Sequence, residues 1–394
     1  MDFRFNDEQQ AFRRSIREFL AENLGPDWRG VDPDAYFHDE NWPRVRRLTA
    51  KLAEQGWLTL AWPTEYGGQG RPSIDQMIYN EETAYFRAPT RDVSIGTEMV
   101  GPTLMLYGTD EQKARYLPEI ANGSAVYCQG FSEPESGSDL ASLQLRAIED
   151  GDDYILTGSK VWTSGAHRSS YCYLMARTDP EAPKHRGITM FIVDMASPGI
   201  QVKPIVNMFD VHYFNEVLFE NVRVPKANMI GDVNRGWYVA ATSLDFERSG
   251  VGRFAANQRS LEDLVELATE TEINGGKLAE DPVVRNRLAD LWVANEAGRL
   301  VAYNVAWMQA QGLVPNREAS VSKLVGSEIA QRIHELGVRM LGRYGLLDKG
   351  SRWAYLDGRL AWEWMDSISF TLRAGTSEIQ RNIIATRGLG LPRG

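Results

Sequence analysis

Gln129-Gly130-Phe131-Ser132-Glu133-Pro134-Glu135-Ser136-Gly137-Ser138-Asp139, answered further along by Gly158-Ser159-Lys160-Val161-Trp162-Thr163-Ser164, decides how the whole chain is read. Glycines and small hydroxyl side chains let backbone amides come close to a flat ligand with polar edges and to a phosphate, and Trp162 offers an indole able to cover one face of a ring system. A lone Gly/Ser/Pro cluster is more often an ordinary hairpin loop. Two such segments, in this order, point to a pocket for a planar group.

Length and composition bound the rest. At 394 residues with 43% apolar content, the chain can bury a large core and exceeds the usual size of one domain, so two or three domains are expected. A net charge of -10 argues against a nucleic-acid partner, since duplex binding neutralises phosphates with clustered Lys and Arg. Two cysteines, Cys128 and Cys172, make no disulfide framework, and the five histidines (His38, His167, His185, His212, His334) lack metal-ligand spacing, so no metal site is expected. Asp2, Arg4, Asp7 and Glu8 stand where a signal peptide would need an apolar run, and no segment approaches ~18 uncharged apolar residues. A cytoplasmic protein without a membrane partner is the expectation.

Residues 1–124 read as a helical domain. Asn6 can cap a helix whose Phe12, Ile16, Phe19 and Leu20 share a face, Val45, Leu48 and Leu52 repeat that pattern, and Thr109 with Gln112 makes a capping box. Residues 125–231 read as a β domain, with apolar runs at Tyr154–Thr157, Tyr171–Leu174 and Ile188–Val193, and Asp150-Gly151-Asp152 as a hairpin tip. Residues 232–394 return to helical periodicity, and the stripe Val284, Leu288, Leu291, Ala294, Gly298, Val301, Val305 and Met308 reads as core.

The two opening segments resemble the acyl-CoA dehydrogenase family. So do Trp62-Pro63-Thr64-Glu65-Tyr66-Gly67-Gly68-Gln69-Gly70, Gly108-Thr109-Asp110-Glu111-Gln112-Lys113 with Tyr116-Leu117-Pro118, Asn221-Val222-Arg223-Val224-Pro225 and Gly375-Thr376-Ser377-Glu378-Ile379-Gln380-Arg381, in family order from residue 62 to residue 381. The resemblance implies an α+β fold: an N-terminal helical domain, a middle β-barrel or sandwich domain and a C-terminal four-helix bundle. It implies FAD as cofactor, held through Gln129, Phe131, Ser132, Gly137, Ser138, Trp162, Thr163, Ser164, Thr376 and Glu378. It implies an acyl-CoA substrate near Ser138, Asp245, Arg248, Ala374 and Gly375, and an electron acceptor such as an electron-transfer flavoprotein. Ser138 aligns with a pantetheine contact.

Removing hydrogen between the α and β carbons of a thioester needs a base for the α proton, a hydride acceptor and donors for the enolate-like oxygen. In many family members the base is a glutamate just before the C-terminal Gly-Thr. Here Arg373-Ala374-Gly375-Thr376 lacks it, although the Ala374 N–H remains a candidate donor to the thioester oxygen. Some branches place the glutamate in a Leu-Asp-x-Glu-Arg context, and Leu244-Asp245-Phe246-Glu247-Arg248 matches it, so Glu247 is the candidate base and flavin N5 the implied hydride acceptor. A glutamate on a helix is otherwise most often solvated. Arg248 is a candidate partner for the carboxylate or guide for CoA, its plain alternative a surface ion pair.

Two segments depart from the family. Thr269-Glu270-Thr271-Glu272-Ile273-Asn274-Gly275 stands in place of Arg-x-x-Phe-Gly, and Arg339-Met340-Leu341-Gly342-Arg343-Tyr344-Gly345 in place of Gln-x-x-Gly-Gly-x-Gly, the motifs that clasp a neighbour's pyrophosphate. Acidic side chains repel phosphate, and an arginine side chain blocks the close approach glycine allows. The resemblance then implies the catalytic subunit of an α2β2 hetero-oligomer, a type associated with steroid side-chain thioesters, or otherwise a homo-oligomer holding FAD by other contacts. An acyl-CoA oxidase discharging the flavin on oxygen and a non-catalytic flavin-holding subunit are the alternative functions.

Overall fold

The computed structural model describes residues 4–25, 28, 38–246, 250–273 and 275–392. Six helices come first: α1 (Asp7–Leu24), α2 (Trp42–Glu54), α3 (Ser73–Tyr85), α4 (Arg91–Ser94), α5 (Gly101–Tyr107) and α6 (Asp110–Ala121). Eight strands follow: β1 (Tyr127–Gly130), β2 (Arg146–Asp150), β3 (Asp153–Lys160), β4 (Tyr171–Arg177), β5 (Ile188–Asp194), β6 (Ile200–Val206), β7 (His212–Pro225) and β8 (Met229–Ile230). The chain closes with α7 (Gly236–Phe246), α8 (Val251–Glu270), the short hairpin β9 (Glu272–Ile273) and β10 (Gly276–Lys277), then α9 (Pro282–Ala310), α10 (Asn316–Met340), α11 (Arg359–Phe370) and α12 (Ser377–Ile383). Two compact units result: Met1–Ala35, Pro72–Ala88 and Arg248–Gly394 in one, Tyr36–Arg71 and Pro89–Glu247 in the other.

The sheet unit is organised by β4. Its strand order is β6-β7-β3-β2-β4-β5-β8, with β1 also pairing with β4 in parallel. Alternate β4 residues point to opposite faces. Tyr173 and Met175 pack with Met99, Val100, Leu104, Tyr116 and Ile120 on the helical side. Cys172, Leu174 and Ala176 pack with Leu156, Val217, Phe219, Val222 and Val224 from β3 and β7. A strand covered on both faces must be apolar throughout, which is why β4 and β5 read as unbroken hydrophobic runs. The hairpin expected at Asp150-Gly151-Asp152 joins β2 and β3, with Gly151 at φ 62 and Asp150 opposite Asp153. Thr109 and Gln112 form the expected capping box on α6, and Gln112 reaches on to the Ala227 and Met229 carbonyls at 2.7 and 2.6 Å. The Trp62 motif also has a steric reason: its indole donates to the Thr97 carbonyl at 3.1 Å, and a Cβ at Gly101 would lie 2.0 Å from its ring.

In the helical unit, Asn6 caps α1 and, with Gln9, forms a capping box, while Phe12, Ile16, Leu20 and Leu24 are buried. Val284, Leu288, Leu291, Gly298 and Val305 of α9 are buried, as the stripe predicted, with Ala294, Val301 and Met308 half-buried. Helices α1, α3 and α9 are tied by charge. Arg17 grips Glu82 at 2.7 and 3.0 Å, Arg13 binds both Glu81 and Glu82, and the Tyr303 hydroxyl donates to Glu81 at 2.7 Å. An open cavity nearby is lined by these same Arg and Glu side chains; each is paired, so the cavity is a structural lattice and not a site. Among the described residues no helix is long and apolar enough to cross a membrane, and none group as a metal site.

Glu82 is 1% exposed and serves two arginines, so removing its charge strips Arg17 of the carboxylate it grips and leaves Arg13 with Glu81 alone. Glu82→Gln is expected to lower the stability of the protein by about 3 kcal/mol, the lower end for breaking a buried pair because Arg17 reaches solvent. Urea unfolding followed by far-ultraviolet circular dichroism checks this.

Candidate active site

Both segments expected to wall a flavin site lie in the sheet unit. β1 ends at Gly130, where a Cβ would meet Cys172 Sγ and Leu174 Cδ1 at 2.7 Å, so the chain runs tight beside β4 before it turns out as the loop that carries Phe131 and Ser132. Gln129 is half-buried with its amide directed to Met99 Sδ at 3.7 Å. Phe131 is buried and its ring sits 5.6 Å from Tyr173. Ser132 is half-buried, and its carbonyl accepts the Val161 N–H at 2.9 Å. That bond joins the first segment to the second. Gly137 and Ser138 are exposed on the far part of the loop, and a Cβ at Gly137 would meet nothing within 4 Å.

The second wall follows β3. Trp162 takes a left-handed conformation, φ 58, and presents 60% of its surface to solvent, its indole edge-on to Phe214 at 6.0 Å. A non-glycine residue in that region costs about 1–3 kcal/mol, a strain typical of binding sites. Thr163 is fully buried and its Oγ1 has no hydrogen-bond partner among the described residues. Ser164 is half-buried.

Behind this wall lies a polar cluster that motif reading missed. Thr163 N–H donates to the Asn215 carbonyl at 3.0 Å, and Asn215 Nδ2 returns a bond to the Thr163 carbonyl at 2.9 Å. The same Nδ2 lies 3.2 Å from His167 Nδ1, and Asn215 Oδ1 lies 2.7 Å from His212 Nε2. The amide orientation sets the tautomers: His167 accepts at Nδ1, so its proton sits on Nε2, buried without a partner among the described residues. The two imidazoles stack at 4.0 Å. Their only sequence signal was histidines flanking the quoted segment and β7, and which ones meet depends on tertiary register.

The C-terminal loop lies in the helical unit. Ala374 and Gly375 are consecutive left-handed residues, φ 54 and 81, and a Cβ at Gly375 would strike Gln380 Nε2 at 2.6 Å. Thr376 caps α12 by accepting the Ile379 N–H, and Gln380 holds the Ala374 carbonyl at 3.3 Å. Glu378 is exposed in the first turn of α12, and the helix N-terminal amide and the Thr376 hydroxyl lower its pKa. Glu247 and Arg248 lie outside the described residues, as does the side chain of Asp245. The walls at 129–132 and 162–164 are thus brought together, and residues 374–378 form a separate cluster in the other unit.

Profiles for the N-terminal, middle and C-terminal domains of acyl-CoA dehydrogenases match residues 6–124, 128–222 and 234–389. The chain belongs to the acyl-CoA dehydrogenase family. Acyl-CoA dehydrogenase IpdE1 of Mycobacterium tuberculosis is 36% identical, with 98% of each chain covered, and acyl-CoA dehydrogenase FadE26 of the same organism is 35% identical over 100% of this chain and 99% of that one. Among solved structures, a Tcur3481-Tcur3483 steroid ACAD matches with a TM-score of 0.90 at 34% identity, and the ChsE4-ChsE5 complex from Mycobacterium tuberculosis with 0.89 at 36%, each over the full length of both chains. The protein is therefore an FAD-dependent oxidoreductase acting on CH–CH groups. The sheet unit fits such a cofactor. A largely bare indole in a strained conformation offers a face for a ring system, and the buried, unpartnered Thr163 hydroxyl lies directly after it.

Burial first, then neighbouring His212 and Arg168, push the His167 pKa down to about 4. An unfolded histidine titrates near 6.5. Between those values the unfolded chain binds a proton that the folded one refuses, so stability falls as pH drops from about 6.5 and levels off below about 4. Thermal midpoints across this range are expected to decline for wild type and to decline less for His167→Gln.

Proposed function

We propose that this chain is the base-bearing subunit of a hetero-oligomeric acyl-CoA dehydrogenase that desaturates the α,β bond of a bulky, steroid-type acyl thioester, with Glu247 removing the α proton. The observation that carries this is Ala374. It occupies the position where many family members carry a carboxylate, and a methyl group accepts no proton. Its left-handed backbone, fixed by Gln380, keeps the amide available. Glu247, in Leu244-Asp245-Phe246-Glu247-Arg248, is the carboxylate whose context matches the alternative position in the family.

The residues then divide the work. Glu247 takes the proton, which requires a pKa raised toward neutrality by removal from water. The Ala374 N–H stabilises negative charge developing on the thioester oxygen, and Gly375 permits the turn that presents it. Ser138 binds the pantetheine, while Asp245 and Arg248 flank the base. Gln129, Phe131, Ser132, Gly137, Trp162, Thr163, Ser164, Thr376 and Glu378 hold the cofactor. Bound FAD supplies the hydride acceptor, and an electron-transfer flavoprotein is the external acceptor.

Two kinds of support favour the hetero-oligomer and the steroid substrate. Similar structures include a Tcur3481-Tcur3483 steroid ACAD and a complex of ChsE4 with ChsE5. The positions that would clasp a neighbour's pyrophosphate carry exposed Glu270 and Glu272, with Lys277 paired to Glu272, and an exposed Arg343 lying over Tyr344. A related partner chain would supply the missing contacts.

The test is anaerobic flavin bleaching by short, long and steroid-side-chain acyl-CoA thioesters, on this chain alone and co-produced with a related partner. The assembled enzyme is expected to bleach fastest with the steroid class, and Glu247→Gln to slow bleaching at least about 100-fold with FAD still bound. Wild-type bleaching by the variant removes Glu247 from the role; full activity of this chain alone contradicts the hetero-oligomer.

A further inference from the structure

Both flavin-wall segments are rooted in one buried charge. Lys160, the last residue of β3, has no solvent exposure, and its Nζ donates to Glu133 Oε1 at 2.8 Å and to the Phe131 carbonyl at 3.0 Å. The Glu133 carboxylate also accepts the N–H groups of Gln144 at 2.6 Å and Leu145 at 2.9 Å. One ion pair therefore fixes the root of the 131–145 loop, its far end and the start of the Trp162 segment. Glu133 and Ser136 exchange backbone bonds at 2.9 and 3.0 Å, and Arg177 holds the Ala141 carbonyl at 2.6 Å, so the loop between these points is braced at several places.

Stability does not require this arrangement, because a buried ion pair is often matched or bettered by apolar side chains of similar volume. Its geometry suggests another use. In a trans peptide the C=O and the following N–H point in opposite directions. Lys160 draws the Phe131 carbonyl inward, so the Ser132 N–H is turned away from the ammonium, toward the outside of the loop. One residue on, the Ser132 carbonyl is taken by Val161, which fixes the other side of the same residue.

We propose that Lys160 and Glu133 are positioning residues that aim the Ser132 N–H at the polar edge of the flavin and hold Ser132 in register with Val161–Ser164. This rests on the reading of Ser132 and Trp162–Ser164 as flavin walls. The pair touches neither cofactor nor substrate; it acts through the backbone of residues 131–132 and 161.

The test compares Lys160→Met, Glu133→Gln, the double variant and Trp162→Phe in the assembled flavoenzyme, by thermal midpoint, FAD Kd and the shape of the flavin absorption bands. Each single variant of the pair leaves a buried charge uncompensated and is expected to lower the midpoint. The double variant is expected to recover most of that loss, yet to bind FAD about five- to tenfold more weakly, the effect of one misdirected hydrogen bond, with altered flavin bands. Wild-type Kd and bands in the double variant, with altered bands in Trp162→Phe, would overturn the positioning role alone. Unaltered bands in both would overturn the wall reading and the proposal with it.

Discussion

Burial of β4 on both faces is the constraint from which the sheet unit follows. Seven successive residues, Tyr171 to Arg177, must satisfy every backbone group along the ladder, and Cys172 to Ala176 are also packed into core on both faces. One face takes the segment Ile95–Val100 with α5, α6 and α7, the other takes β3 and β7. Beside β4, β1 can end only in a glycine, since Cys172 and Leu174 leave no room for a Cβ at Gly130. The loop that follows therefore starts from a fixed position beside a rigid strand. Precise placement of a ring system needs such a floor, because catalytic geometry tolerates errors of only about 0.5 Å.

The helical unit is held differently. Glu81, Glu82, Asp263 and Glu363 are each buried or nearly so, and each is met by arginine: Arg13, Arg17 and Arg299 at one end, Arg87, Arg259 and Arg359 at the other. Burial alone would push the Glu363 carboxyl up, but Arg359, His334 and Arg87 outweigh it and bring it down to about 2. Such lattices contribute little net stability over apolar packing, yet any mispaired arrangement costs several kcal/mol, about 3–5 per broken pair. They specify which helices meet more than how firmly, which suits a unit assembled from three separated stretches of chain.

What the sequence disclosed follows from how locally each feature is encoded. Asn6, Thr109 with Gln112, and Asp150-Gly151-Asp152 act through hydrogen bonds or φ angles a few residues apart, and each is found where it was read. The runs of β4 and β5 were legible because two-sided burial leaves an unbroken apolar signature. β7 was not, and Asn221–Pro225 at its end entered only as a motif. Its fourteen residues mix His, Asn, Glu and Arg with apolar positions because only alternate residues are buried. The Lys160–Glu133 pair and the Asn215 cluster were in plain view as letters, but what each touches is set by strand register and loop closure, which no periodicity reports. The packing of α3 with α1, α8 and α9 is equally non-local.

Chemically, the proposed mechanism requires Glu247 to do what a carboxylate at 374 would otherwise do. With alanine at 374, the helical unit keeps the amide that would polarise a thioester and gives up the side chain that would take its proton. Its most direct test separates proton transfer from hydride transfer. The assembled enzyme, its flavin chemically reduced so that no hydride can leave, is incubated in D2O with a saturated acyl-CoA, and deuterium at the α carbon is read by mass spectrometry. Wild type is predicted to exchange the α proton and Glu247→Gln to leave it in place. Exchange by Glu247→Gln at the wild-type rate would show that the base is another group.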